Sequence, residues 1–420
     1  MSAHWLRLQN TGEVLGNSEF LWTDDPTEMS FRTNITAGLA EFPKGRRANR
    51  DFLRLAVAVF LVDRTRARPK GWARTLDVHI PMERPKPWTA VAGDLERMLG
   101  FLTGDHWTLR FYYASRPISP PSTNPCPTRS QYMLLSGGAD SMTGALLLAN
   151  PTSTCLISHS AVGQHDVIEA LRELWGERPT HFVRYVKRRQ RTIAGVAFGD
   201  ERSSRSRSLL FFALGLLAGS GTEAPLLVPE NGFASLNPPM APERTGSLST
   251  RTTHPWYLYE LRRLLDLVGA HADLANPFES QTKGEMFTAV AHRYGQDEAS
   301  TLLSASLSCS RGDLKYSAPT GTRHCGVCYG CLVRRAAFAA SRLKDRTVYF
   351  AEVTDPVGAA NGWLTAKQRQ DVAVAEYACR VGRVDPSDII ATGLPPTMDI
   401  DSAIALAQRG LDEIKLLFEP

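Results

Sequence analysis

The sequence predicts an α/β protein with a doubly wound parallel sheet and a cysteine-rich loop, an N-terminal α+β domain and a C-terminal helical extension. Three observations predict this fold class. From residue 131 onward, apolar segments typical of strands alternate with amphipathic segments typical of helices, an order that favours right-handed βαβ units. A segment rich in proline, serine and threonine precedes this region. Three cysteines crowd together near its end.

The N-terminal domain spans residues 1–115 and is expected to be α+β. Its hydrophobic pattern predicts three strands and one helix: strands Leu53–Val62, Thr75–Ile80 and Trp107–Tyr113, and helix Trp88–Leu102. Residues 116–130 contain five prolines, a composition that favours an extended, solvated linker. We expect this linker to separate an accessory, partner-binding domain from the rest of the chain.

The main domain spans residues 131–346 and alternates strands with helices. The predicted strands are Gln131–Leu135, Thr154–Ser158 and Ala224–Val228, and the predicted helices are Asp140–Ala149, His165–Leu174, Ser206–Ala218, Trp256–Gly269 and Thr282–Arg293. Residues 347–420 are predicted to begin with a strand, Thr347–Ala351, and to continue as a helical extension.

Composition excludes several classes of protein. The 420 residues are 43% hydrophobic and 22% charged, which is ordinary for a globular chain and excludes a disordered one. The net charge of +5 is too small to indicate a dedicated nucleic-acid binder. The longest apolar run, Leu209–Ala218, is too short to cross a membrane, and the first residues lack a secretory signal, so we expect a cytoplasmic location.

The strongest local signal is Ser136-Gly137-Gly138-Ala139-Asp140-Ser141, between a predicted strand and a predicted helix. The two glycines allow a tight turn with exposed N–H groups, and the helix start adds a partial positive charge, so the segment is expected to hold phosphate. The alternative is a glycine turn whose Asp and Ser cap a helix. A Walker A loop is excluded, because the dipeptide Gly-Lys is absent from the sequence.

This loop resembles the pyrophosphatase loop of the N-type ATP pyrophosphatases. The resemblance implies that residues 136–141 bind the β- and γ-phosphates of ATP while a substrate group attacks the α-phosphorus. It also implies that Asp140 helps to hold Mg²⁺, and a carboxylate oxygen suits that ion. Asp140 and Ser141 are thereby candidate catalytic residues.

The second signal is a set of four cysteines, Cys309, Cys325, Cys328 and Cys331. Their spacing suits a closed tetrahedral Zn²⁺ site, which is typical of a structural metal. An iron–sulfur cluster and free thiols are the alternatives. The ferredoxin pattern requires a further cysteine followed by proline, and this chain has Arg335 followed by Ala336 there.

Together, the loop and the cysteines resemble the 7-cyano-7-deazaguanine synthase (QueC) family. That resemblance implies roles in catalysis for Arg207, at the start of an apolar helix, and for Lys283, at another helix start. The alternative for each of these two residues is an ordinary charged side chain on the protein surface. Glu230 and Asn231 follow a predicted strand, where α/β sheets bind ligands, and are candidates for substrate binding; the alternative is a Pro-Asn-Gly turn.

The resemblance implies ATP-dependent adenylation of a carboxylate, that of 7-carboxy-7-deazaguanine, followed by attack of an amine to give an amide or a nitrile. The additional N- and C-terminal regions are similar in arrangement to QueC-like members of the bacterial Qat antiphage defence system. This implies a protein partner from a defence operon; nucleic acid is not required, and no membrane is expected. The alternatives are a tRNA-modifying ATP pyrophosphatase and a non-catalytic nucleotide-sensing subunit.

Overall fold

A computed structural model describes twelve segments of the chain: 3–8, 18–23, 29–35, 45–69, 73–114, 129–159, 163–189, 197–201, 205–240, 251–310, 324–353 and 366–418. Most of the proline-rich segment 116–130 lies outside the described residues. Within these segments, no helix combines the length and the apolar character needed to cross a membrane.

The N-terminal part contains a four-stranded sheet. Its strands are β1 (His4–Arg7), β2 (Ser18–Leu21), β4 (Thr75–Met82) and β5 (His106–Tyr113), in the order β2-β1-β4-β5, and every pair is parallel. The described residues of this part also form helices α1 (Arg47–Thr65), α2 (Pro85–Ala90) and α3 (Ala92–Thr103). Because parallel strands need helical crossovers, this part is α/β, and the expectation of an α+β domain is wrong.

The predicted strand Leu53–Val62 is also wrong, because these residues form the middle of helix α1. Nearly every residue of α1 is buried, since the helix packs against β4 on one side and against helix α6 (Arg207–Gly219) on another. Residues 55–62 of this helix form a continuous apolar run with no helical period, and such a run does not distinguish a buried helix from a buried strand.

The N-terminal part and the main domain share one hydrophobic core. Buried side chains of α1 and α6, such as Phe52 and Leu210, belong to the same cluster. Polar contacts connect the same two parts: Asp63 Oδ2 accepts hydrogen bonds from Ser206 N at 3.1 Å and Ser206 Oγ at 2.7 Å. Strand β3 (Phe31–Thr33) pairs with β9 (Val186–Arg188). The two parts therefore pack as one body.

The main domain contains a second parallel sheet. Its strands are β6 (Gln131–Leu134), β7 (Thr154–His159), β8 (His181–Arg184), β10 (Leu226–Leu227) and β11 (Leu274–Ala275), in the order β11-β10-β6-β7-β8. The chain moves outward from β6 in one direction through β7 and β8, and in the other through β10 and β11. The predicted α/β class with a parallel sheet is thus confirmed.

Helices cover both faces of this sheet. Alternate residues of β6 enter different cores: Met133 packs with α4 (Ala139–Leu148) and α5 (Gln164–Trp175), whereas Tyr132 packs with α6 and α8 (Pro255–Leu267). This alternation is the ordinary consequence of the strand's two-residue period. A short helix, α7 (Gly232–Leu236), follows β10.

In the described residues after β11, the helices are α9 (Lys283–Tyr294), α10 (Gln296–Ser304), α11 (Tyr329–Ala340), α12 (Ala366–Val381), α13 (Pro386–Ala391) and α14 (Ile400–Lys415). The predicted strand Thr347–Ala351 is not formed in this described segment. Tyr349 makes only an isolated bridge with His324, because the turn around the cysteines offers too short a partner for a ladder. The helical extension at the C terminus is present.

Candidate functional site

The candidate site lies at the carboxyl edge of the second sheet. The segment 136–141 follows β6, Glu230 and Asn231 follow β10, and Lys283 begins α9 after β11. Strands β6 and β10 are neighbours, and the chain leaves β6 in opposite directions on its two sides. Such a topological switch point opens a crevice in which α/β proteins bind ligands.

The glycine loop forms a tight turn into helix α4. Gly137 has a φ of +87°, and a Cβ there would lie 2.8 Å from the backbone nitrogen of Gln164. A residue with a side chain would therefore be strained and would collide with the neighbouring loop. Ser141 Oγ donates to Gly138 O at 2.9 Å and accepts from Ser136 N at 3.3 Å. These bonds fix the loop, and Gly138 N and Ala139 N donate to the hydroxyls of Ser136 and Ser308 at 3.3 Å, positions where an anion at the helix start would be the acceptor instead.

Asp140, Lys283 and Asn231 form a buried polar cluster at this helix start. Lys283 Nζ lies 3.0 Å from Asp140 Oδ2, and Asn231 Nδ2 donates to the same oxygen at 3.2 Å. Asp140 is 8% exposed and Lys283 is 6% exposed. Asp140 Oδ1 has no hydrogen-bond partner among the described residues. The cluster thus contains one carboxylate oxygen that is buried and open to a further ligand.

Two carboxyl groups of the site have opposite pKa shifts. Burial alone would raise the pKa of Asp140, but the Lys283 ammonium and the hydrogen bonds around it outweigh burial and lower the pKa. Burial and the negative charge of Asp140 raise the pKa of Glu230 well above its usual range. Glu230 therefore keeps its proton to a higher pH than Asp140.

Asn231 positions Asp140. Its side chain is fully buried, and Oδ1 caps helix α7 by accepting from Ala234 N at 2.9 Å while Nδ2 contacts Asp140. An amide engaged in this way holds the carboxylate in place, whereas the sequence indicates a substrate contact at this position.

Sequence reasoning missed Asn276, which accepts from Glu230 N at 3.3 Å and donates to Glu230 O at 2.8 Å. In the sequence, the only feature that indicates a role for Asn276 is its position directly after β11 and before a proline.

Arg207 lies at the same edge of the sheet, beside the end of β7. Its guanidinium donates to His159 O at 3.2 Å and lies 5.2 Å from the centre of the Phe211 ring. Among the described residues, Arg207 forms no salt bridge with a carboxylate, and burial lowers its pKa. A largely buried guanidinium without a carboxylate partner is suited to bind an anionic ligand.

The four predicted metal ligands come together. The Sγ atoms of Cys309, Cys325, Cys328 and Cys331 all lie within 4.8 Å of one another. Two of the separations are 4.0 Å and 3.9 Å, close to the roughly 3.8 Å between ligands of a tetrahedral site with Zn–S bonds of about 2.3 Å. Three of these residues are fully buried, and backbone N–H groups point at the sulfurs, so the geometry is compatible with structural zinc.

The cysteine cluster and the glycine loop are connected by residues 307 and 308. Leu307 N donates to Gly137 O at 2.8 Å, and Ala139 N donates to Ser308 Oγ at 3.3 Å. Ser308 directly precedes Cys309, so the residue that contacts the loop is next to a candidate metal ligand. In the sequence, only this neighbourhood distinguishes Ser308 from other serines.

Comparisons with protein-family models, with curated proteins and with solved structures found no significant match.

Proposed function

We propose that the chain is an ATP pyrophosphatase that adenylates a carboxylate and transfers the acyl group to an amine. The observation that carries this proposal is the meeting of Asp140, Glu230 and Lys283 at the start of α4, directly beside the glycine loop. Three segments distant in sequence thus supply charged groups to one crevice that has phosphate-binding geometry.

The triphosphate would lie against the start of α4. The N–H groups of residues 137–141 and the helix dipole would hold the β- and γ-phosphates, with the Ser136 hydroxyl exposed beside them. Arg207, at the end of β7, would contact the phosphate nearest to that strand. Positive charge at Lys283 and Arg207 would stabilise the negative charge that builds up as pyrophosphate departs.

Mg²⁺ fits the donors at this position. Asp140 Oδ1 is buried without a described hydrogen-bond partner, and the neighbouring Glu230 would be a second oxygen ligand once the ion displaced its proton. Carboxylate oxygens are preferred magnesium ligands, and the ion would neutralise phosphate charge. Lys283 keeps Asp140 ionised, which that role requires.

The reaction has two steps. A carboxylate oxygen of the substrate attacks the α-phosphorus, the bond from that phosphorus to the bridging oxygen breaks, and pyrophosphate leaves. The nitrogen of an amine then attacks the acyl carbon, loses a proton, and displaces AMP to form an amide. In a second round, the amide oxygen would attack the α-phosphorus of another ATP with release of pyrophosphate; AMP would then leave with that oxygen and the nitrogen would lose its two protons, which gives a nitrile. Holding both substrates at one sheet edge supplies the proximity that these steps need.

The resemblance to the QueC family supports 7-carboxy-7-deazaguanine as the acid. It also supports a partner protein from an antiphage defence operon, contacted through the N-terminal part. A sulfur-transferring activity on tRNA would need a reactive cysteine near the loop. Cys155, the downstream candidate in the sheet, is fully buried in β7 and is poorly suited to that role.

The test is a product assay with ATP, Mg²⁺, 7-carboxy-7-deazaguanine and ammonium. We expect pyrophosphate and AMP in equal amounts, and Lys283→Met or Arg207→Gln to lower kcat/KM by about 10²- to 10³-fold, as loss of one transition-state donor does. Lys86→Met is the matched control, because Lys86 is exposed on α2. Release of orthophosphate alone would refute the proposal.

A further inference from the structure

The C-terminal helix α14 reaches the candidate site from outside it. Its residues 401–415 lie more than 110 positions after Lys283, in the part of the chain to which the sequence assigns no role. Two elements outside α4 contact Asp140: α7, through its N-cap Asn231, and the start of α9, through Lys283. Helix α14 contacts both of these elements. These contacts are polar and specific at α9 and apolar at α7.

Glu413 of α14 binds the first turn of α9 with both carboxylate oxygens. One oxygen accepts a hydrogen bond from the Thr282 hydroxyl, and the other accepts from Gly284 N at 3.1 Å. Thr282 and Gly284 flank Lys283. Thr282 is also the N-cap of α9, since its hydroxyl accepts from Glu285 N at 3.2 Å. Glu413 therefore accepts from the N-cap hydroxyl on one side of the lysine and from a backbone N–H of the helix start on the other.

Arg409, one turn before Glu413 on α14, strengthens the same contact. Its Nε donates to Glu285 Oε1 at 2.7 Å, and its Nη2 donates to Ser280 O at 2.8 Å. Glu285 in turn accepts from Thr282 N at 2.9 Å and completes a capping box. Gly284 lets the helices approach, because a Cβ there would collide with the Glu413 carboxylate.

Helix α14 also contacts α7. A Cβ at Gly410 would overlap the ring of Phe233, so the two helices touch closely there. Helix α7 begins immediately after Asn231, which donates to Asp140. One rigid helix thus sets the positions of both Asn231 and Lys283 relative to the same carboxylate.

We propose that Glu413 is a positioning residue that holds Lys283 against Asp140, and that α14 is a structural component of the site. The catalytic consequence rests on the proposed function: without Glu413, the ammonium would be less well placed and kcat would fall more than KM rises. Independently of any activity, loss of Glu413 should expose the Lys283 side chain to solvent more often.

The test measures the rate at which an amine-acylating reagent modifies Lys283 in the full-length protein, read by mass spectrometry. In Glu413→Gln we expect labelling to rise between about 2-fold and about 30-fold, the opening expected when one helix-cap interaction is lost. Asp412→Asn is the matched control, because Asp412 is the adjacent residue and contacts only Gln408 and Lys415 among the described residues. Its labelling should be unchanged.

Arg409→Ala is the second variant, and it replaces Glu413→Gln if that protein does not fold. Equal labelling of Lys283 in wild type, Glu413→Gln and Arg409→Ala would overturn the positioning role. So would an equal rise in Asp412→Asn. Faster labelling together with no pyrophosphate formation by the wild-type protein would support the positioning role and refute the proposed reaction.

Discussion

Replacing Lys283 by methionine should destabilise the folded chain through Asp140. The two charged groups are 3.0 Å apart and nearly inaccessible to water, so the substitution leaves a buried carboxylate without its counter-charge. Loss of one partner of a buried ion pair costs about 3–5 kcal/mol. Lys86→Met, on the surface of α2, should change the free energy of unfolding by less than about 0.5 kcal/mol.

The double variant Asp140→Asn/Lys283→Met separates the ion pair from packing. Neither partner then carries a charge, so we expect it to be more stable than Lys283→Met alone. The measurement is urea unfolding of wild type, both single variants and the double variant at pH 7. Additive effects of the two substitutions would refute the ion-pair argument.

The pH dependence of the stability difference between wild type and Lys283→Met gives an independent check. In wild type, Lys283 lowers the pKa of Asp140, so its contribution to stability is present above pH 3.8 and is lost as pH falls below that value. Without Lys283, burial raises the pKa, and the folded variant takes up a proton that the unfolded chain does not. The deficit of Lys283→Met relative to wild type should therefore shrink from pH 7 toward pH 4. A constant deficit would contradict this reasoning.

Two further predictions concern the metal site and a buried histidine. Elemental analysis should find one zinc per chain. Cys331→Ser should lose the metal and fail to fold, whereas the control Cys379→Ser should keep the metal and the fold. Detection of iron, or a folded chain without metal, would contradict this prediction. Burial and the charge of Arg251 lower the pKa of His254 to about 3, so the stability it contributes above pH 6.5 is lost as pH falls toward 3. His254→Asn retains an acceptor for the Trp256 N–H but does not titrate, so the slope of unfolding free energy between pH 6 and pH 4 should decrease by up to about 1.4 kcal/mol per pH unit. An unchanged slope would show that His254 is protonated in the folded chain.

Local patterns in the sequence predicted most of the second sheet. Strands β6 and β7 and helices α4 and α5 lie where the alternation of short apolar segments with longer helical ones places them. The predicted strand in α1 is wrong because the apolar run 55–62 is buried on more than one side and carries no helical period. Residues 347–351 form no strand, because the bridge partner of Tyr349 is His324, which lies in the turn before the cysteines, and that turn is too short for a ladder.

The candidate site was predictable where it follows strand ends. The rule that ligands bind at the carboxyl edge predicts Glu230, the glycine-loop motif predicts Asp140, and the resemblance to the QueC family implies Lys283. It was not predictable where a contact joins distant parts of the chain. Ser308, Asn276 and Glu413 act through one or two hydrogen bonds to residues 46 to 169 positions away, and such bonds leave no periodic or compositional signal.

The shared core of α1 and α6 has a consequence for the order of events during synthesis. Helix α1 ends at Thr65, and its apolar partner ends at Gly219, so the ribosome must add 154 residues between them. At about 5–20 residues per second, roughly 8 to 31 s pass before the helix that packs on α1 has been synthesised. During that interval the apolar run 55–62 of α1 lacks part of the cover that it has in the folded protein, so aggregation competes with folding at this segment.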